Sequence, residues 1–95
     1  MRQVAELAET EVAQAAQAVR ARGGELEMAG AVQLVRFAPQ VVTAEVDDCA
    51  ARVEFTVVEG RFRWYCTCGD GRAGAFCAHC VATALATRKR VQVRS

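Results

Sequence analysis

Four of the chain's five cysteines and its single histidine crowd into one short stretch: Cys66-Thr67-Cys68, then Cys77-Ala78-His79-Cys80. The eight residues between the two groups include Gly69, Gly71 and Gly74, so the loop can turn sharply and bring them together. Two close groups of soft ligands on either side of a short turn match the needs of Zn²⁺. That ion takes thiolate and imidazole ligands tetrahedrally, and a structural site fills all four positions with protein. The spacing therefore predicts one structural zinc ion holding two elements of the fold together.

A chain of this size needs such a tie. Its 95 residues form one small domain, and the 53% hydrophobic content overstates the core, because nineteen of those residues are Ala and none is Ile. The larger apolar side chains are mostly Val, with four Leu, four Phe, two Met, one Trp and one Tyr. A domain this short buries only about 60–65% of its unfolded surface, so a staple is expected. Metal binding can contribute roughly 10 kcal/mol or more to such a fold at neutral pH.

Several classes of protein fit poorly. Met1 opens directly into a charged, Ala-rich stretch with no apolar core of a signal peptide, so no secretory leader is expected. The uncharged apolar runs fall far short of the ~18 residues that a membrane span requires. An odd number of cysteines with C-x-C spacing favours reduced thiols and a cytoplasmic location over a disulfide framework. Charge is uneven: residues 1–47 carry four basic and seven acidic groups, and residues 48–95 carry eight basic and four acidic. The cysteine-rich half is the basic half, which suits a polyanionic partner and equally an ordinary solvated surface.

Hydrophobic periodicity predicts an α+β fold. Residues 3–22 form an Ala-rich helix with Val4, Leu7, Val12, Ala15, Ala16 and Val19 on one stripe, stopped by Gly23-Gly24. Strands follow at Val32 to Phe37, Val41 to Asp47, Arg52 to Val58 and Arg61 to Cys66, with turns at Ala38-Pro39, Asp48-Cys49-Ala50 and Glu59-Gly60. Pairing Val58 with Arg61 sets Val57 beside Phe62, Phe55 beside Trp64 and Val53 beside Cys66 on one face, which makes Phe55, Phe62 and Trp64 core residues. Cys66 and Cys68, two apart on an extended segment, point to that same side. Arg61, Arg63, Tyr65, Glu54 and Thr56 take the other face. Residues 69–76 read as a mobile loop, and Cys77 to about Arg88 as a short helix that Arg88-Lys89-Arg90 ends. The expected architecture is a small antiparallel sheet of about four strands with an N-terminal helix and a short C-terminal helix, joined by the zinc site. The divisions are 1–24 for the helix, 25–90 for the zinc-binding domain and 91–95 for a tail.

The fourth ligand has two candidates. Cys77 and Cys80 are three apart and share a helix face. Cys77 and His79 are two apart, roughly 200° around a regular helix, so they converge only if Cys77 precedes the first turn. In that position the positive helix end would also favour the Cys77 thiolate. Arg61, Arg63 or Arg72 would soften the net negative charge of a three-thiolate site. Cys49 reads as an uninvolved thiol in a turn.

The order C-x-C, loop, C-x-H and a small-apolar helix resembles the SWIM-type zinc finger of bacterial and other proteins. Here it runs Cys66-Thr67-Cys68, Gly69 to Phe76, Cys77-Ala78-His79 and Val81-Ala82. Phe76 just before the second pair and a β-hairpin before the first also fit, and the resemblance spans about residues 20–88. It implies Cys66, Cys68, Cys77 and His79 as ligands. Cys80 departs from the aliphatic residue usual after the His, and is either the alternative ligand or a small core residue. SWIM-type domains are accessory modules in bacterial proteins, helicase-like ATPases and transposases, implicated in DNA binding or protein–protein contact.

No catalytic constellation is visible. A catalytic zinc keeps a position open for water, whereas four protein ligands are available here and the nearest acid, Asp70, lies in the loop. The expectation is a non-catalytic module that contacts a protein or DNA, with no membrane and no small-molecule substrate. The alternative is direct nucleic-acid binding through Arg61, Arg63 and Tyr65, with Arg88, Lys89 and Arg90 adding phosphate contacts. A zinc–thiolate redox sensor with Cys80 as resolving thiol is a further reading.

Overall fold

In the computed structural model, which describes residues 3–94, two helices precede a four-stranded sheet and two more follow it. Helices α1 (Val4–Gln14) and α2 (Gln17–Met28) lead into strands β1 (Val32–Ala38), β2 (Val41–Val46), β3 (Ala51–Val58) and β4 (Arg61–Cys66). A short helix α3 (Gly69–Arg72) and the long α4 (Ala78–Arg94) complete the chain. The strands lie in sequence order and are antiparallel throughout, giving an α+β fold. Among the described residues no helix is long and apolar enough to cross a membrane.

The β3–β4 hairpin has the register its alternation predicts: Val58 opposite Arg61, Val57 opposite Phe62, Phe55 opposite Trp64, and Val53 opposite Cys66. Glu59 and Gly60 both take positive φ, +53° and +77°, the backbone of a two-residue turn whose twist matches the strands. One face of the sheet buries Val42, Ala44, Val46, Val53, Phe55, Val57 and Cys66, and α4 packs across it.

Helix α4 has the sheet on one side and α1 and α2 on the other, which explains its composition. Cys80 through Ala84 are all buried, and small side chains suit a helix covered on both faces. Thr83 and Thr87, also buried, donate their hydroxyls to the carbonyls one turn back, His79 and Thr83, at 2.9 and 2.8 Å. The core therefore holds these hydroxyls without an unpaired donor.

Four expectations need correction. The N-terminal helix is broken at Ala15-Ala16, both with extended backbone (ψ 152° and 149°), and resumes through Gly23-Gly24 instead of stopping there. The break lets α1 bury Val4 and Ala8 while α2, on a different line, packs Leu26 and Gly23 against α4. Gly23 is needed for contact: a methyl group there would run into the Val81 side chain and lie 2.9 Å from the Ala78 carbonyl oxygen. The C-terminal helix, second, continues to Arg94, because Arg and Lys are good helix formers and neither Gly nor Pro follows them. Arg88 pairs with Glu9 of α1 at 2.9 Å, Lys89 with Glu27 of α2 at 3.6 Å, and Arg90 lies over the Phe37 ring of β1 at 5.1 Å. The divisions expected at 24 and 90 thus fall inside α2 and α4. Third, the loop after Cys68 contains a helical turn, α3. Fourth, Phe62 and Trp64 are half-buried, not core. They form a cluster with Phe55 and Phe76, Trp64 meeting Phe76 edge-on at 5.4 Å, and Trp64 Nε1 donates to the Gly74 carbonyl at 3.1 Å. That hydrogen bond ties the Gly-rich connection to the hairpin.

Candidate metal centre

The end of β4, the start of α3 and the start of α4 converge beside the sheet's edge, and each brings part of one cluster. Cys66 is the last residue of β4, on the inward face that the alternation assigns it. Cys68 caps α3, its Sγ accepting the Gly71 N–H at 3.3 Å. Cys77 directly precedes α4, its carbonyl accepting the Val81 N–H, and His79 lies in the first turn of that helix. This is the placement that lets two residues only two apart converge.

The four ligand atoms of Cys66, Cys68, Cys77 and His79 all lie within 4.8 Å of one another and can hold a metal ion. Cys68 Sγ is 3.5 Å from Cys77 Sγ, while His79 Nδ1 is 3.6 Å from Cys66 Sγ and 3.8 Å from Cys77 Sγ. Cys66, Cys77 and His79 are buried and Cys68 is half-buried, so the group is closed on most sides. Gly71 permits the tight β4–α3 junction, since a side chain there would lie 2.7 Å from the Cys66 carbonyl oxygen.

Electrostatics divide the thiols by role. The Cys77 thiol is lowered to about 4, chiefly by its contact with Cys80, whose sulphur lies 3.8 Å away. Cys66 is pushed up to about 12, mainly by burial. Cys80 is raised as well, first by the hydrogen bond to Cys77 and then by burial. In that pairing Cys80 keeps its proton and supports the Cys77 thiolate. Its sulphur lies outside the group of four, and the residue is fully buried in the core. The side chain of Cys49 lies outside the described residues.

Sequence reasoning missed Asp48, in the single 3₁₀ turn Asp48–Ala50 between β2 and β3. His79 Nε2 lies 2.9 Å from Asp48 Oδ2. A carboxylate only accepts, so Nε2 carries the hydrogen, and in a neutral imidazole the lone pair is then on Nδ1, the nitrogen that faces Cys66 and Cys77. The Asp48 carboxyl is held below its usual range, first by this hydrogen bond. Arg22 of α2 reaches Asp48 Oδ1 at 3.5 Å, so a cation from the N-terminal helices stands behind the His79–Asp48 pair. Arg61, Arg63 and Arg72, expected in that role, are all exposed. Nothing in the local sequence marks Asp48; thirty-one residues separate it from His79.

The residues expected to contact nucleic acid fall into two groups, one on β4 and one on α4. Arg61, Arg63 and Tyr65 are exposed on the outer face of β4, opposite the face that α4 covers. Arg88, Lys89 and Arg90 are held by Glu9, Glu27 and Phe37 on α1, α2 and β1. Searches against protein-family models, curated proteins and solved structures return no match to this chain.

Proposed function

We propose that this chain is a zinc-binding module of the SWIM type, non-catalytic, working in a reducing cytoplasm through contact with another macromolecule. The observation that carries the reading is the shape of the Cys66, Cys68, Cys77 and His79 cluster. With Zn–S bonds of about 2.3 Å and a Zn–N bond of about 2.05 Å, a tetrahedral site has edges of about 3.8 Å between sulphurs and about 3.6 Å between sulphur and nitrogen. Three of the six separations, 3.5, 3.6 and 3.8 Å, lie close to those figures, and all six are within 4.8 Å. Three thiolates and one imidazole are a donor set that zinc favours over harder ions. Four protein ligands leave no open position for a substrate or an activated water, which supports a structural role.

The test is metal content by mass spectrometry, then cobalt substitution. A single bound zinc and a tetrahedral cobalt spectrum of the three-thiolate, one-imidazole kind are expected. The spectrum should survive Cys80→Ala and be lost with His79→Ala; the reverse result would move the fourth ligand to Cys80.

The outer sheet face favours a protein partner over a polyanion. Arg36, Arg52, Arg61 and Arg63 alternate there with Glu45 and Glu54, and exposed Val35, Val58 and Tyr65 add apolar area. Arg61, Arg63 and Tyr65 nevertheless line up on β4, which keeps nucleic-acid binding as a second reading. Titration with duplex and single-stranded DNA at two salt concentrations separates the two. Affinity that falls steeply with salt and drops in an Arg61→Ala/Arg63→Ala variant would establish DNA as the ligand; absence of binding at low salt would remove it.

A further inference from the structure

We infer that Asp48 is a positioning residue of the metal centre, setting which nitrogen of His79 faces the ion and tying the β2–β3 turn to the site. The inference rests on the cluster being a metal centre and concerns what surrounds it. Three observations carry it. Asp48 Oδ2 and His79 Nε2 are 2.9 Å apart, whereas the other ring nitrogen, Nδ1, faces the Cys66 and Cys77 sulphurs. The His79 side chain is 10% exposed, so the ring has little freedom to turn and find water instead. The partner comes from neither ligand-bearing segment: all of β3 and most of β4 lie between Asp48 and Cys66, the first of the four clustered residues.

A carboxylate behind a metal-bound imidazole fixes the tautomer and the ring plane, and raises the basicity of the nitrogen on the metal. Here it requires coordination through Nδ1 with the hydrogen on Nε2. Arg22, at 3.5 Å from Asp48 Oδ1, steadies the carboxylate from the other side. Its side chain is 51% exposed, and a solvent-screened pair of this kind contributes little. The effect therefore belongs to Asp48.

The experiment is zinc affinity by competition with a chromophoric chelator for the wild-type protein and for Asp48→Ala, Asp48→Asn and Arg22→Ala, with cobalt spectra of each. It is joined by ¹⁵N and ¹³C shifts of the His79 ring in the zinc-loaded wild type. Asp48→Ala should weaken zinc binding about 10–100-fold while the four-ligand cobalt spectrum persists. Asp48→Asn keeps a carbonyl acceptor and should lose less; Arg22→Ala should stay within about threefold. The ring shifts should report Nδ1 on the metal. Coordination through Nε2, or equal affinity in the wild type and both Asp48 variants, overturns the inference and leaves the zinc reading intact. A wild-type protein that takes up no zinc overturns both. If Asp48→Ala does not fold, the Asn variant decides alone, since unchanged affinity on losing the charge counts against the role.

Discussion

Cys66 and His79 stand 3.6 Å apart, sulphur to Nδ1, and between them they join the last strand of the sheet to the first turn of the central helix. Without an ion, several polar groups meet in a buried space where their mutual contacts are weak sulphur hydrogen bonds. Chelation should therefore loosen the β4–α3–α4 junction and lower the melting temperature by tens of degrees, or abolish the cooperative transition. Circular dichroism melts with and without a strong chelator make the measurement; an unchanged melt of verified metal-free protein would sink the metal-dependent account of stability.

Gly71 must be glycine for a steric reason. A Cβ would press on the Cys66 side chain and lie 2.7 Å from the Cys66 carbonyl, so Gly71→Ala has to push α3 away from β4. Cys68 caps α3 and would move with it, taking its sulphur out of the tetrahedron. The variant should bind zinc at least about tenfold more weakly and lose about 1–3 kcal/mol of stability, the usual range for overpacking. Gly69 and Gly74 have open space around them, and φ is positive only at Gly74; Gly69→Ala is the control, expected to leave zinc affinity nearly unchanged.

A second close approach, Gly23 on Val81, governs how α2 lies on α4. Substituting Gly23 by Ala would raise helix propensity by about 1 kcal/mol in an isolated peptide. In this fold the clash with the Val81 side chain and the Ala78 carbonyl should win, for a net loss of about 1–3 kcal/mol. Gly24 has nothing near it, and the same change there should be neutral to stabilising. Opposite signs at neighbouring glycines, read by denaturant unfolding, are the result to look for; stabilisation at both positions would mean that α2 does not dock as described.

What was legible in the sequence and what was not divide by range. The hairpin register came through because Val53, Phe55 and Val57 alternate with charged residues and a two-residue turn allows one pairing. The convergence of Cys66, Cys68, Cys77 and His79 came through because these residues are close in sequence. Gly23-Gly24 misled because a glycine that stops a helix and one that admits a neighbouring helix look alike until the neighbour is known. The Ala15-Ala16 break has no local signal, since alanine is the best helix former and the break answers to docking surfaces far along the chain. Asp48 was invisible for the same reason: its role exists only once β2, β3 and β4 have placed it behind His79. Arg88-Lys89-Arg90 suited a helix end by charge, yet Arg and Lys are also good helix formers, and with no Gly or Pro after them the helix runs on.

Metal uptake should depend on pH in a direction fixed by the thiols. Burial pushes Cys66 up to about 12, so in metal-free protein at neutral pH it holds a proton that it must lose to become a ligand. Cys77, lowered to about 4, is already a thiolate there and gives up no proton above that range. The loaded state thus binds fewer protons than the free state, and by linkage zinc affinity rises with pH, by at least about tenfold per unit between about pH 6 and about pH 8. Replacing Cys80 by Ala removes the largest of the contacts that lower the Cys77 thiol, leaving the backbone N–H of residue 80, Cys68 and Cys66; the thiol moves upward, and the slope should steepen. Chelator competition at three pH values, for the wild type and for Cys80→Ala, reads both slopes. A flat profile in the wild type would show that the cluster is already deprotonated before the metal arrives, and that burial does not hold the Cys66 proton in place.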